Sequence, residues 1–279
     1  MYARLGLRIV GQAVEVVCDD RVAASTLREN YEALSSSEPE RADLRYRVRA
    51  EARTSGFLLR RHDGGTVLAA DLGDLVFQLE KAIIVAIEER RPDLLFLHAA
   101  ALERDRAVWL FVGPSGAGKS TTAWGLLHHG FSYLSDELAP VDLCTLEVSP
   151  YPHALCLKRQ PPAPYLLPAG SLGLGRTIHV PVRSLPSVSR LDPFALQAVF
   201  FLSEDTRGAK PVLRRVSTAE GAARLYVCTL NALAHEARGL DAVLHVASRV
   251  RCFVLQAGDL ESTCELMAGT DLQNCQPLP

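Results

Sequence analysis

Between Leu44 and Ala50 the chain alternates strictly. Leu44, Tyr46, Val48 and Ala50 fall on one side of an extended backbone, and Arg45, Arg47 and Arg49 fall on the other. A period of two marks a strand with one buried face. Upstream, residues 5–10 and 13–18 read as two short strands turning at Gly11-Gln12, and residues 19–34 read as a helix opening on Asp19 or Asp20. Downstream, "GFLLRR" and "TVLAA" flank the turn "DGG" at 63–65 and predict a hairpin. From Leu75 to Glu89 the apolar positions Leu75, Leu79, Ala82 and Ala86 share one helical stripe. The first segment, 1–92, is therefore expected to be a small α+β unit. Its arginine row reads as a solvated strand face, with a binding surface as the alternative.

The pattern breaks at "RRPDL", residues 90–94. Two apolar strands follow, "LLFLHAAAL" and "AVWLFV", joined by the polar turn "ERDR". The second strand runs directly into a glycine-rich loop, and a helix is expected from Lys119 to His128. "GFSYLSDELAPVDL" then returns to strand character. Residues 159–193 are rich in Pro, Gly, Ser and Arg, and read as a long mobile or functional loop. The tail predicts strands at 198–202 and near Val212, helices at 218–236 and 240–248, the strand "CFVLQA" and a last helix from Leu260. The expectation for 93–279 is an α/β domain.

Composition narrows the partners. The chain has 279 residues, 48% of them apolar and 22% charged, which is ordinary for a globular protein with a substantial core. Its net charge of -2 lacks the basic excess usual in nucleic-acid binders, so no nucleic-acid partner is expected. The start shows no basic segment followed by a long apolar run, so no signal peptide is expected. The longest helical candidate is interrupted by Gln78, Glu80 and Lys81, so no membrane span is expected. Seven dispersed cysteines with no C-x-x-C pair suggest reduced thiols in the cytoplasm, not a disulfide frame or a zinc site.

The chemistry sits in Gly113-Pro114-Ser115-Gly116-Ala117-Gly118-Lys119-Ser120, followed by Thr121. This fits G-x-x-x-x-G-K-[ST] at every position. Glycines let successive backbone N–H groups converge on phosphate oxygens. The following helix aims its positive end at the same oxygens. Lys119 adds a full charge near the β and γ phosphates, and the Ser120 hydroxyl can ligate Mg²⁺. An ABC-type ATPase would need an L-S-G-G-Q-like segment and an acidic pair far downstream, and a GTPase would need N-K-x-D. None of these is present. The acidic pair Asp136-Glu137 lies only 17 residues after Lys119, on the next strand.

The local order is "LHAA" at 97–100, "GPSGAGKST" at 113–121 and "HHGFSYLSDE" at 128–137. It resembles the HPr kinase/phosphorylase family and the HPr kinase-related proteins of bacterial biosynthetic clusters. Looser matches continue through "PYPHALCLK" and "LRRVSTAEGAARL". The resemblance implies a P-loop kinase domain of the HPr kinase/phosphoenolpyruvate carboxykinase-like type, using ATP and Mg²⁺. It implies transfer of the γ-phosphoryl group to a serine of a peptide or protein. A small-molecule alcohol is the second acceptor class, and a nucleotide-sensing module with little turnover is the competing reading. A homo-oligomer is left open. Carried over by residue, His98, Asp136 and Lys119 would be catalytic, with Asp136 accepting the hydroxyl proton. Ser120 and Glu137 would meet the metal. His98 would orient the aspartate or contact the γ-phosphate; alternatively it is a core histidine bonded to a backbone carbonyl. The family pattern has two aspartates where this chain has Asp136-Glu137, so which carboxylate does which task stays open. The first ninety residues do not look like the regulatory domain of HPr kinases. Lys158, Arg159, Arg176, Arg183 and Arg190 could neutralise phosphate charge or be solvated. "GSLGLG" at 170–175 would give a lid its mobility. His128-His129 and Glu204-Asp205 read as surface residues.

Overall fold

The computed structural model describes residues 3–37, 41–51, 56–203, 210–235 and 239–272. It is a mixed α/β protein in two compact units. One comprises 1–90, 152–160 and 167–184; the other comprises 91–151, 161–166 and 185–279.

In the first unit five strands form a sheet in chain order: β1 (Ala3–Ile9), β2 (Gln12–Cys18), β3 (Leu44–Ala50), β4 (Phe57–Arg60) and β5 (Thr66–Ala69). The β1–β2 turn falls on Val10-Gly11, one residue earlier than expected, with φ of 47° and 80°. A two-residue type I′ hairpin needs positive φ at both central positions. The β2–β3 pairing is parallel, which requires a crossover. Helix α1 (Arg21–Asn30) supplies it, capped by Asp20 Oδ1, which accepts the Ala23 N–H at 2.8 Å. Helix α2 (Leu72–Arg90) buries Leu75, Val76, Leu79, Ile83, Ala86 and Ile87, while Ala82 is half-exposed. The stripe is thus rotated slightly from the expected one. The Tyr46 hydroxyl donates to the Ala82 carbonyl at 3.0 Å and ties α2 to the buried sheet face.

The second unit begins with β6 (Leu94–Leu97), β7 (Ala99–Arg104) and β8 (Ala107–Val112). Helix α3 (Lys119–Leu127) follows, then β9 (Ser132–Ser135), β10 (Ala139–Asp142) and β11 (Glu147–Val148).

The stretch expected as a loop differs from its reading. Just before 159–193 lies β12 (Leu155–Leu157), and within it lie β13 (Leu172–Leu174) and β14 (Thr177–Val180), which join β12 in a three-stranded sheet ordered β12-β14-β13. Most of this stretch belongs with the N-terminal unit, and the contacts give the reason. The Ala154 N–H donates to the Asn30 carbonyl at 2.8 Å, and His179 Nδ1 lies 2.6 Å from Asn30 Oδ1. Arg183 pairs with Glu32 at 2.7 Å and Glu29 at 3.1 Å. At Gly73 an added Cβ would come within 2.9 Å of the Leu174 carbonyl carbon, so α2 and the β13–β14 hairpin pack backbone against backbone. The "GSLGLG" glycines build this hairpin. Prolines and glycines masked the short apolar strands between them.

The chain returns with β15 (Phe194–Ser203), β16 (Val212–Arg215), α4 (Thr218–Val227), α5 (Leu240–Arg249), β17 (Arg251–Gln256) and α6 (Leu260–Gly269). The α4 helix stops nine residues short of the expected 236, a position outside the described residues. Sheet order is β6-β10-β11-β15-β8-β7-β9, with β17 also on β15 and β16 on β17. The pairings β8–β15 and β15–β17 are parallel. Parallel strands covered on both faces read as unbroken apolar runs, and Val108 to Val112 are all buried. One face packs Leu110, Val112, Val199 and Phe201 with Leu225 and Val246. The other stacks Phe200 between Phe111 and Phe253, at 5.3 and 5.4 Å. Among the described residues no helix is long and apolar enough to cross a membrane.

Candidate active site

Strand register brings the candidate residues to one end of the sheet. Ala99 pairs with Val112, so His98 sits beside the start of the glycine loop. His98 lies in the break between β6 and β7, not within a strand. Strand β9 is antiparallel to β7, with Ala101 opposite Ser135, so its C-terminal end emerges on the same side as that of β8. Asp136 and Glu137 follow there. The carboxyl ends of strands in an open α/β sheet are the usual place for a ligand crevice.

The loop itself turns on Gly116 and Gly118, each at φ 93°. That left-handed conformation strains any side chain with a Cβ. Pro114, Ser115 and Gly116 are exposed, Ala117, Gly118, Ser120 and Thr121 are half-buried, and Gly113 and Lys119 are buried. At Gly113 an added Cβ would lie 3.1 Å from Ala117 Cβ and 3.3 Å from the Leu202 carbonyl, so the loop closes tightly on β15. The Lys119 ammonium donates to the carbonyls of Gly113 at 2.9 Å and Pro114 at 3.3 Å, which lays its charge along the loop. The first turn of α3 adds N–H groups that the helix cannot satisfy internally.

Asp136 is fully buried, and Glu137 keeps 45% of its side chain accessible. The turn presenting them is fixed by Ser135 Oγ, which donates to the Leu138 carbonyl. The Tyr133 hydroxyl donates to Asp136 Oδ1 at 3.1 Å. His98 Nε2 lies 3.6 Å from Glu137 Oε2, so the carboxylate it meets is that of Glu137. The His98 N–H donates to the Cys228 carbonyl at 2.9 Å, and the Leu230 N–H donates to the Phe96 carbonyl at 2.8 Å. Asn231 clamps β6 further, accepting from the Phe96 N–H and donating to the Leu94 carbonyl, both at 2.9 Å. Segment 228–231 thus lines the histidine's side. Burial pushes the Cys228 thiol up, opposed by the charge of Lys119.

Tyr133 and the 228–231 segment were not singled out in the sequence. Tyr133 had a usable signal, three residues before Asp136 in "SYLSDE". Segment 228–231 had none, because its role rests on backbone bonds. Other candidates fall elsewhere. Lys158, Arg159, Arg176 and Arg183 belong to the first unit, and Arg183 is engaged by Glu29 and Glu32. Arg190 is exposed in the second unit. His128 and His129 pack on a neighbour instead of standing free: His129 Nε2 lies 2.8 Å from the Tyr165 hydroxyl, and His128 packs edge-on against Trp124. Glu204-Asp205 lies outside the described residues.

Among the described residues no group of three or more His, Cys, Asp or Glu side chains gathers as a metal cage. Instead the Ser120 hydroxyl, after β8, and the Asp136-Glu137 carboxylates, after β9, share one end of the sheet. That donor set fits Mg²⁺ held jointly with phosphates, since Mg²⁺ commonly takes one or two carboxylates plus substrate oxygens.

No protein-family model matches the chain, and no curated protein matches it. Among solved structures it is similar to the Hpr(Ser) kinase/phosphatase from Coxiella burnetii. That match has 15% identity and a TM-score of 0.33, and covers 62% of this chain and 91% of the other.

Proposed function

We propose that this protein is an ATP- and Mg²⁺-dependent kinase with a P-loop domain of the HPr kinase-like type, transferring the γ-phosphoryl group to a serine hydroxyl of a peptide or protein. The observation that carries the reading is the juxtaposition at one end of the sheet. A glycine loop with a buried lysine lies beside a histidine–carboxylate pair, as a phosphoryl donor and a hydroxyl acceptor require.

Loop N–H groups and Lys119 hold the phosphates of ATP. Ser120 and a carboxylate would hold Mg²⁺, which when bound would neutralise charge on those phosphates. We assign the acidic pair the opposite way round from the first expectation above. A hydroxyl nucleophile has to reach its base, and Asp136 is fully buried while Glu137 is accessible. Glu137 therefore accepts the serine proton as the new P–O bond forms and the bond to ADP breaks. His98 orients Glu137. Asp136, which accepts a hydrogen bond from Tyr133, would be the carboxylate that joins Ser120 in holding the metal. A polypeptide acceptor is favoured over a small alcohol by the surface beside His98, where Val227, Leu230 and Leu233 are 83%, 45% and 88% exposed. Exposed apolar residues grouped next to a site suit a macromolecular partner.

Incubation with labelled ATP and an array of serine-containing peptides tests the reading. Label should appear on peptide, and Lys119→Ala should cut transfer by about 10²–10³ in a folded protein. ATP binding with no transfer to any peptide or alcohol would favour the nucleotide-sensing alternative.

A further inference from the structure

The five-stranded sheet of the first unit has one face that the core does not use. Register places Arg4 and Arg8 of β1, Arg45, Arg47 and Arg49 of β3, and Arg60 of β4 on that face, all exposed. Among the strand residues of this face one is acidic: Glu15, which lies 3.6 Å from both Arg4 and Arg45. Among the described residues no acidic side chain lies within ion-pair distance of Arg47, Arg49 or Arg60. The chain's net charge is -2, so this positive field is local.

The placement is costly to the fold. Arg47 and Arg60 are directly opposed across β3 and β4. Like charges in that position destabilise a sheet. Folding alone gives no reason to put two guanidiniums there, whereas an anionic ligand does.

We propose that this face docks an acidic, extended polypeptide segment. This part stands by itself; that the segment belongs to the phosphoryl acceptor rests on the kinase reading above. Three features select the ligand. Side chains on one face of a strand repeat at about 7 Å, the same repeat that alternate carboxylates have on an extended peptide. Guanidiniums bind carboxylates through paired N–H donors. The described part of the face carries no aromatic side chain, which removes the stacking platform that single-stranded nucleic acids use. Leu58 and the 59%-exposed Leu68 flank the arginines and would receive apolar residues between the acids. Docking outside the reacting centre raises the effective concentration of an attached serine.

The probe is a fluorescent peptide of alternating Glu and Thr, about twelve residues long. Fluorescence anisotropy on the full chain should show binding at low salt, weakened about tenfold or more as salt rises from about 50 to about 300 mM. The triple variant Arg47→Glu/Arg49→Glu/Arg60→Glu should weaken binding at least about tenfold as well. A circular-dichroism melt checks that it folds, and Arg47→Gln/Arg49→Gln provides a milder variant. The proposal is overturned by no binding at low salt, by undiminished binding in both folded variants, or by tighter binding of an oligothymidylate or of phosphatidylserine vesicles. A serine appended to the peptide separates the two readings. Docking with no label transfer to this peptide or to any arrayed peptide or alcohol sinks the kinase reading and leaves the docking face standing. Transfer to serine peptides regardless of the acidic stretch, with no docking, does the reverse.

Discussion

The two large sheets solve burial differently. In the first unit the sheet has one covered face, and every residue on β3 from Leu44 to Arg49 alternates between buried and exposed. In the second unit the central strands are covered on both faces, and β8 is buried from Val108 to Val112. A two-sided sheet has no face to spare, so its chemistry moves to the strand ends, where loops and helix starts offer N–H groups and charges. A one-sided sheet keeps a free face, and its charge can be laid out by strand register. The candidate catalytic groups and the arginine face follow this division.

The first way to break the comparison is to damage the two-sided core. Phe200 is fully buried between two stacked rings. Phe200→Ala should cost about 3–5 kcal/mol. A cost under about 1 kcal/mol, measured by urea unfolding, would mean the sheet is not packed on both sides as described.

Next come the strand ends. Glu137→Gln keeps the size of the side chain and removes its basicity, so transfer should fall by about 10²–10⁴. Asp136→Asn should instead raise the Mg²⁺ concentration needed for half-maximal rate. If Asp136→Asn loses transfer while its Mg²⁺ requirement is unchanged, and Glu137→Gln turns over normally, the base belongs to the buried aspartate.

A smaller effect tests how the first unit tolerates charge off its free face. Glu88 lies on α2, and burial, reinforced by the neighbouring Glu89, raises its carboxyl from 4.5 to about 7. The folded state therefore holds this proton more tightly than the unfolded state. Below about pH 4.5 both states are protonated and no penalty exists. Between there and about pH 7 the unfolded state ionises first, so stability falls as pH rises. Glu88→Gln should remove that fall, stabilising by on the order of 1 kcal/mol at pH 8 once solvent screening is allowed for. Denaturant midpoints at pH 4 and pH 8 measure the difference.

Legibility in the sequence follows the same division. The alternation of β3, the Asp20 cap and the "DGG" hairpin were readable because each is a local rule. The glycine loop was readable because its spacing is dictated by phosphate geometry, and the acidic pair because it closes an apolar strand. The 152–184 excursion was not readable. Its strands are three or four residues long, and what orders them is contact with Asn30, Glu29 and Glu32, more than 120 residues earlier. The pairing of His98 with Glu137 was hidden for the same reason, since sequence distance does not report which carboxylate a strand end turns toward.

The smallest effect bears most directly on the free face. Arg60 sits opposite Arg47 in the β3–β4 register, and both are exposed. Replacing one member of a like-charge cross-strand pair by its opposite converts repulsion to attraction. Arg60→Glu should therefore stabilise the first unit by about 0.2–1 kcal/mol at low salt. Salt should erase most of the gain, because an exposed pair is screened within a Debye length of about 10 Å at 0.1 M. The same substitution should weaken docking of the acidic peptide, because it places a carboxylate among the guanidiniums. Stability and binding would then move in opposite directions from one exposed side chain, as expected where charge was placed for a ligand and not for the fold. A stabilised variant that binds the peptide as tightly as the unaltered chain would show that the face is only solvated, and the contrast between the two sheets would reduce to one of burial alone.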